Sequence, residues 1–507
     1  MNFNQSNGQA PVKRYGLDHP IIKFSDNPCD WWTLRDAVRG THIFGGIGAG
    51  KSSSSGKKIA KEFLKLGMGG IVLCAKPDER YEWQSLVQRL YETEGVDRRN
   101  DLIVFSEDSP YSFNPLKYER SRAGKGAGES FNLVNLLMNI YQMGKNLSGD
   151  NGSHSGDRFW DLALKRLIRR MIDLLKLANE DVSIANMHAL VVTLLSKEES
   201  DKLKQILSNH ETSKHQLSQW GEQNYYINCF LKATLNTSKT VEQDENTPLL
   251  REYFIVKNYF NREIITLAER TRTIITESFL GIVEPFLTGL LYKHFVQDTS
   301  ILPEWTHTGK IIILDFSVKE YLELGIYAQG IFKLMWQQAA ERRTFKVGRD
   351  LPIFIFCDES QFFISDYDNI FQTTARSAGV CTVFLSQNIS NYLVTLGGNG
   401  QAKVDSLLGN LCTKIFHCNN DSVTNEWASR TIGKDIRQLM SFNVSNSANT
   451  SSGISQQLHY QVEPREFTIL KSGGDENNFI VESIITVAGK EWSDGKNFTR
   501  KSFKQFF

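Results

Sequence analysis

The sequence predicts an α/β protein, a parallel sheet wound with helices and interrupted by a long helical insertion. Three observations lead there. From Thr41 to Pro115 short apolar runs alternate with helical ones, the pattern of parallel strands joined by helical crossovers. From Ser130 helical runs take over, at Phe131 to Met143, Phe159 to Leu177, Ser183 to Leu195 and Ile264 to Phe295, with polar breaks between them. Strand-like runs then resume at Ile311 to Leu314, Ile353 to Cys357, Val380 to Leu385 and Lys414 to His417, so that the sheet is completed after the insertion. The expected division is 1–116 for the first part of the sheet domain, 117–303 for the all-α insertion and 304–507 for the remainder.

Taken in order, the first strand, Thr41 to Phe44, leads into Gly45-Gly46-Ile47-Gly48-Ala49-Gly50-Lys51-Ser52, a full match to the phosphate-binding pattern G-x-x-x-x-G-K-S/T. Gly45, Gly48 and Gly50 let the backbone turn tightly and aim its N–H groups inward. Lys51 reaches β- and γ-phosphate oxygens, and the Ser52 hydroxyl is placed to ligate Mg²⁺. Ser53 opens a helix running to Leu66, with Ile59, Phe63 and Leu64 at helical spacing, and the phosphates of ATP are expected at its N-terminus. Gly70 to Cys74 reads as a strand, Arg80 to Tyr91 as a helix and Leu102 to Phe105 as a strand.

After the insertion, Ile353-Phe354-Ile355-Phe356-Cys357-Asp358-Glu359 is an apolar run that suits a strand buried on both faces, ending in two carboxylates. Asp358 is the expected Mg²⁺ residue and Glu359 the base that orients and deprotonates the attacking water. Asp315 ends a similar run, Ile311 to Leu314, but lacks a following glutamate and is ranked as structural. Gln387, after Val383-Phe384-Leu385, falls at a strand's carboxyl end and suits a sensor of the γ-phosphate. Arg376 precedes Ser377-Ala378-Gly379 at a helix end, and its fixed charge suits phosphate.

Composition narrows the class. The chain has 507 residues, 40% hydrophobic and 11% aromatic, enough for two or three packed domains. Lys and Arg total 58 against 57 Asp and Glu, so no global basic field announces nucleic acid. The seven cysteines form no C-x-x-C pair, and most lie in apolar runs, as free thiols do in a reducing cytoplasm. No stretch reaches the ~18 consecutive apolar residues of a membrane span, and Met1 to Tyr15 is polar, without the apolar core of a secretion signal. Gly144 to Gly156 and the Ser/Asn/Gly-rich Asn443 to Gln457 are expected to be mobile.

The phosphate loop, Asn114-Pro115-Leu116, an insertion entered through Phe159-Trp160, Asp358-Glu359, Arg376, Ser386-Gln387, Glu426-Trp427-Ala428-Ser429-Arg430 with Gly433, and Gly473-Gly474 follow one another in an order that resembles the type IV coupling proteins. These are motors of conjugation and type IV secretion within the FtsK/HerA group of translocases. The resemblance implies a RecA-like P-loop NTPase sheet with an inserted all-α domain, a homo-oligomeric ring, expected to be a hexamer, and ATP-driven movement of DNA with protein partners of a transfer complex. It carries the metal and water roles to Asp358 and Glu359, the sensor role to Gln387, and to Arg376 the role of an arginine reaching into the neighbouring subunit's site. Coupling proteins usually begin with transmembrane helices, and this chain shows none, so the expectation is a cytoplasmic protein that is recruited to the inner membrane by a partner or works in another setting. Their common Asp-Pro-Lys-Gly-Glu is here Ala75-Lys76-Pro77-Asp78-Glu79, and no nucleotide role is assigned to Asp78 or Glu79.

Signals for DNA contact are local. Lys165, Arg166, Arg169, Arg170 and Lys176 make a basic stripe beside an apolar face, and a solvated helix face is the preferred account of it. Two other functions fit the same residues: a motor that remodels or loads protein, or serves a mobile-element or phage-defence system, and a nucleotide-gated cargo adaptor with little turnover.

Overall fold

The computed structural model describes residues 15–147, 157–208, 213–241, 247–397, 400–444 and 450–506. In chain order its strands are β1 (Pro20–Lys23), β2 (Trp31–Thr33), β3 (Thr41–Phe44), β4 (Gly69–Leu73), β5 (Leu102–Ser106), β6 (Ile311–Asp315), β7 (Ile353–Cys357), β8 (Val380–Ser386), β9 (Thr413–Phe416), β10 (Lys434–Val444), β11 (Thr450–Tyr460), β12 (Ile480–Val487) and β13 (Phe498–Lys504). The chain divides into two compact units, 1–109 with 303–507, and 110–302.

The first unit is built on a nine-stranded sheet of order β13-β12-β9-β3-β8-β7-β4-β6-β5. From β9 to β5 neighbouring strands run parallel, with every residue of β3, β4, β6, β7 and β8 buried, as expected of strands covered on both faces. At the other edge β12 runs antiparallel to β9, and β13 antiparallel to β12, so the expected parallel sheet is mixed at one edge. The core gathers Ile59, Phe63 and Leu64 of the helix after the phosphate loop, Trp83 and Leu90 of the helix Glu79–Glu94, and sheet residues such as Phe354, Val383 and Ile415.

The second unit is helical. Its longer helices are Ser130–Leu147, Asp157–Leu177, Tyr225–Val241 and Glu269–Val283. The single helix expected from Ile264 to Phe295 is broken: Leu267 is extended, with φ −63° and ψ 144°, Pro285 lies in a short 3₁₀ turn, and Gly289 takes a φ of +65°. Among the described residues no single helix is long and apolar enough to cross a membrane.

The stretch Asn443 to Gln457, expected to be mobile, contributes its described residues to an antiparallel hairpin. There β10 and β11 pair in unbroken register from Lys434↔Tyr460 to Val444↔Thr450. The described residues of that stretch, 443–444 and 450–457, are thus strand, in a hairpin whose arms are eleven residues each. The other such stretch ends the helix Ser130–Leu147 and otherwise lies outside the described residues.

Two histidines of the sheet domain are buried neutral. His42 Nε2 meets the Tyr392 hydroxyl at 2.7 Å, and His417 bridges the Ser55 hydroxyl (2.7 Å) and the Glu482 carbonyl (3.0 Å). Burial, with Lys414 nearby, pushes His42 down to about 3, and burial lowers His417 to about 4. The unfolded chain takes up these protons near pH 6.5 and the native state does not. Stability is therefore complete above pH 6.5 and lost as pH falls from there toward 4, by roughly 3 kcal/mol for His417. Thermal melts across pH 7.5 to 4.5 are expected to show a falling midpoint, with a shallower slope in His417→Gln.

Candidate nucleotide site

The phosphate loop follows β3, and the sheet order sets what surrounds it. Because β8 lies between β3 and β7, the carboxyl ends of three adjacent strands present, in sequence, the loop, Gln387 and Asp358-Glu359. Gly48 and Gly50 have φ of +71° and +75°, conformations that glycine adopts at little cost. A Cβ on Gly50 would also lie 2.6 Å from Val481 Cγ2, so β12 requires glycine there as well. A Cβ on Gly45 would stand 3.0 Å from that of His417.

Each of the four consecutive serines that start the helix has its own partner. Ser52 Oγ donates to Asp358 Oδ2 at 2.7 Å. The Ser53 hydroxyl accepts from Gln505 Nε2 at 3.0 Å, while its carbonyl accepts the Phe506 N–H at 2.8 Å, so the end of the described chain is tied to this turn. Ser54 Oγ donates to the Gly50 carbonyl at 2.6 Å, and Ser55 Oγ meets His417. This first turn is wound as a π-helix, with Gly56 N–H on the Lys51 carbonyl at 3.0 Å, and π turns of this kind are frequent at functional sites.

Lys51 is buried and its Nζ stands 3.5 Å from Glu359 Oε1. Glu359 itself holds left-handed backbone, φ 48° and ψ 48°, uncommon for a residue with a side chain. Gln361 Nε2 donates to its Oε2 at 2.9 Å, and Gln387 Nε2 lies 3.3 and 3.4 Å from its two oxygens. Burial alone would raise the Glu359 carboxyl. Lys51, the Gln361 amide, Lys76 and Gln387 outweigh burial and hold it below the ordinary glutamate range, so it is ionised and able to accept a proton. Beneath it Ser360 Oγ donates to the Leu385 carbonyl at 2.8 Å and meets the Tyr392 hydroxyl, which reaches His42, a buried chain that fixes the turn after β7.

Sequence reasoning missed two residues that the structure brings into this cluster. Lys76 Nζ lies 3.4 Å from Asp358 Oδ2 and 3.6 Å from Glu359 Oε1. Glu79, given no role from the sequence, is buried 3.9 Å from Lys76 Nζ; its Oε2 accepts the Ala75 N–H at 3.0 Å, and burial pushes its carboxyl well above the ordinary range. The signal was the lysine in the loop after β4, which matters only because β4 is the neighbour of β7.

Other candidates lie elsewhere. Asp315, at the carboxyl end of β6, is paired with Arg80 at 2.8 Å, and β4 separates its strand from β7. Arg376 is exposed in the turn between the helix Asp366–Thr374 and β8, at the amino end of β8 and so at the edge of the sheet opposite the phosphate loop. The basic stripe of the helix Asp157–Leu177 is largely engaged within its own unit: Arg166 pairs with Glu263, Arg170 with Asp173, Lys176 donates to the Gly128 carbonyl and Ser130, and Lys165 lies over the Phe131 ring. The solvated-face account of that stripe fits these contacts.

The donor set suits Mg²⁺, which takes hard oxygen ligands, usually one or two from protein, and completes its shell with water and substrate phosphates. Ser52 Oγ and Asp358 Oδ2 are such a pair, and the Lys76 ammonium already puts a positive charge against Asp358 Oδ2. A phosphate loop after β3, an acid and glutamate at the end of the buried strand β7, and a glutamine after the strand between them on a largely parallel sheet define the RecA-like P-loop NTPase class.

Comparison with known proteins narrows the class. Residues 352–468 match the family described as the TraM recognition site of TraD and TraG. No curated protein matches the chain. Among solved structures it is similar to the bacterial conjugative coupling protein TrwBdeltaN70 in an unbound form, with a TM-score of 0.58 and 12% identity over 99% of this chain and 97% of that one. It is similar also to the plasmid coupling protein TrwB in complex with the non-hydrolysable ATP analogue ADPNP (TM-score 0.56, 13% identity, 99% and 96% covered). A third is TrwB in complex with ADP and Mg²⁺ (TM-score 0.56, 12% identity, 99% and 97% covered). The resemblance to the type IV coupling proteins is thus borne out in the fold over the whole length and in the family match over residues 352–468.

Proposed function

We propose that this chain is an ATP-driven motor that moves or recruits DNA in a conjugation or type IV secretion-like transfer system. The observation that carries the reading is the Ser52–Asp358 contact at 2.7 Å beside Lys51, Glu359 and Gln387, in a chain with the coupling-protein fold. Nucleotide and Mg²⁺ binding are supported by that donor set and by the TrwB complexes. The reading includes assembly into a ring, expected to be a hexamer, in the cytoplasm, and recruitment to the inner membrane and to DNA by partners of the transfer complex.

The phosphate-loop N–H groups and Lys51 Nζ bind and orient the β- and γ-phosphates of ATP. Ser52 and Asp358 would hold Mg²⁺, which when bound neutralises charge developing on the phosphates. Glu359 accepts the attacking water's proton at a carboxylate oxygen. Gln387, bonded to the same carboxylate, orients that water and changes partner when the γ-phosphate leaves.

ATP hydrolysis is to be measured on the full chain while double- or single-stranded DNA is titrated. Stimulation by DNA is expected, together with loss of hydrolysis and weakened ATP binding in Lys51→Ala. Stimulation only by a protein would replace the reading with a remodelling motor. Tight ATP binding without turnover under any condition would replace it with a nucleotide-gated adaptor.

A further inference from the structure

The sequence offers the phosphate site one lysine and no second cation, but the structure supplies one. Lys76 belongs to the loop leaving β4, and β4 is paired with β7 through Leu73↔Cys357, which brings the loop beside Asp358 and Glu359. Its ammonium contacts Asp358 Oδ2 at 3.4 Å, the oxygen that accepts the Ser52 hydroxyl at 2.7 Å. It also lies 3.6 Å from Glu359 Oε1, the oxygen that Lys51 approaches at 3.5 Å, and 3.9 Å from Glu79 Oε1. The ammonium therefore stands on the oxygen that, with Ser52, makes the expected Mg²⁺ ligand pair.

We propose that Lys76 is an internal counter-cation that holds the metal's place between these carboxylates, so that Mg²⁺ enters by displacing it. Asp358 and Glu359 are 8% and 7% exposed at their side chains, whereas Lys76 is 37% exposed. The carboxylates are fixed and the lysine has a path to water. Buried carboxylates sharing one small space repel one another unless a cation lies between them, and an uncompensated buried charge is costly. A flexible ammonium fills that need without the coordination geometry that would make it permanent.

The inference rests on the reading of Ser52 and Asp358 as the Mg²⁺ pair. Its test is equilibrium binding of a fluorescent ADP to the full chain, followed by anisotropy over a series of Mg²⁺ concentrations, for the wild type, Lys76→Met and Lys76→Arg. An ion pair this exposed is worth up to about 1 kcal/mol, or about fivefold. The Mg²⁺ midpoint of Lys76→Met is therefore expected about fivefold below that of the wild type, while Lys76→Arg, which keeps the charge, stays at the wild-type midpoint. An unchanged or higher midpoint in Lys76→Met overturns the proposal, as does a loss of Mg²⁺-independent ADP affinity in that variant, which would put Lys76 on the phosphates instead. Wild-type ADP binding that ignores Mg²⁺ would overturn the metal reading of Ser52 and Asp358 and this proposal with it.

Discussion

Glu359→Gln is expected to lower ATP hydrolysis by about 10²- to 10⁴-fold while leaving ATP bound, because the amide keeps the shape of the side chain but has no basic oxygen to take the water's proton. Lys51 and Ser52, the residues proposed to engage the nucleotide and the metal, are kept, and Lys51 loses only the charge of the carboxylate 3.5 Å from its Nζ. The result should be a protein that binds ATP and stays in the ATP-bound state. Single-turnover hydrolysis and equilibrium binding of a fluorescent ATP, measured on the same preparation, separate the two effects. Asp315→Asn is the control. Its carboxylate is paired with Arg80 at the end of β6, with β4 between β6 and β7, so hydrolysis is expected near the wild-type rate. A wild-type rate in Glu359→Gln together with a dead Asp315→Asn would move the catalytic acid to the other strand.

What could be read from the residues, and what could not, follows from the range of each interaction. The phosphate loop, its strand and its helix are contiguous, so glycine spacing and apolar periodicity sufficed for them. Ile353 to Cys357 carried its two acids because a fully buried strand leaves no polar residue before its end. Lys76 was missed because its role depends on β4 lying beside β7, a pairing between residues almost three hundred positions apart in sequence. The last two strands of the sheet, β12 and β13, interrupt their apolar residues with polar ones, buried in β12 at Ser483 and Thr486 and largely exposed in β13 from Arg500 to Ser502, so from sequence they do not stand out against the loops around them. The mobility expected of Asn443 to Gln457 was drawn from composition, which reports what a segment can bury, whereas its described residues are paired in β10 and β11 by cross-strand backbone bonds. In the basic stripe, charge alone could not show that Arg166 and Arg170 are matched by Glu263 and Asp173.

Arg376→Ala is expected to reduce turnover by about 10³- to 10⁵-fold, the worth of an arginine that stabilises charge on a transferring phosphoryl group, with ATP affinity almost unchanged. The sheet decides which phosphate loop Arg376 could serve. Arg376 enters β8 at its amino end and Gln387 leaves it at the carboxyl end, and the seven residues of Val380–Ser386 at about 3.3 Å each separate them by roughly 20 Å. That is farther than an arginine side chain reaches, so Arg376 cannot serve the phosphate loop of its own chain. It is exposed, and among the described residues its side chain takes part in no hydrogen bond or ion pair, as suits a group whose partner lies on another molecule. Lys76 does not replace it: that ammonium is engaged with Asp358 and Glu359, and it lacks the planar fork that grips two phosphate oxygens at once. If Arg376 serves a neighbouring copy, mixing Arg376→Ala with Glu359→Gln chains should recover part of the activity, from interfaces where an intact arginine faces an intact glutamate. Specific activity should also rise with protein concentration as rings assemble. Normal hydrolysis by Arg376→Ala, or a rate per chain that stays independent of concentration in a monomer, would overturn the trans-acting arginine and favour the nucleotide-gated adaptor.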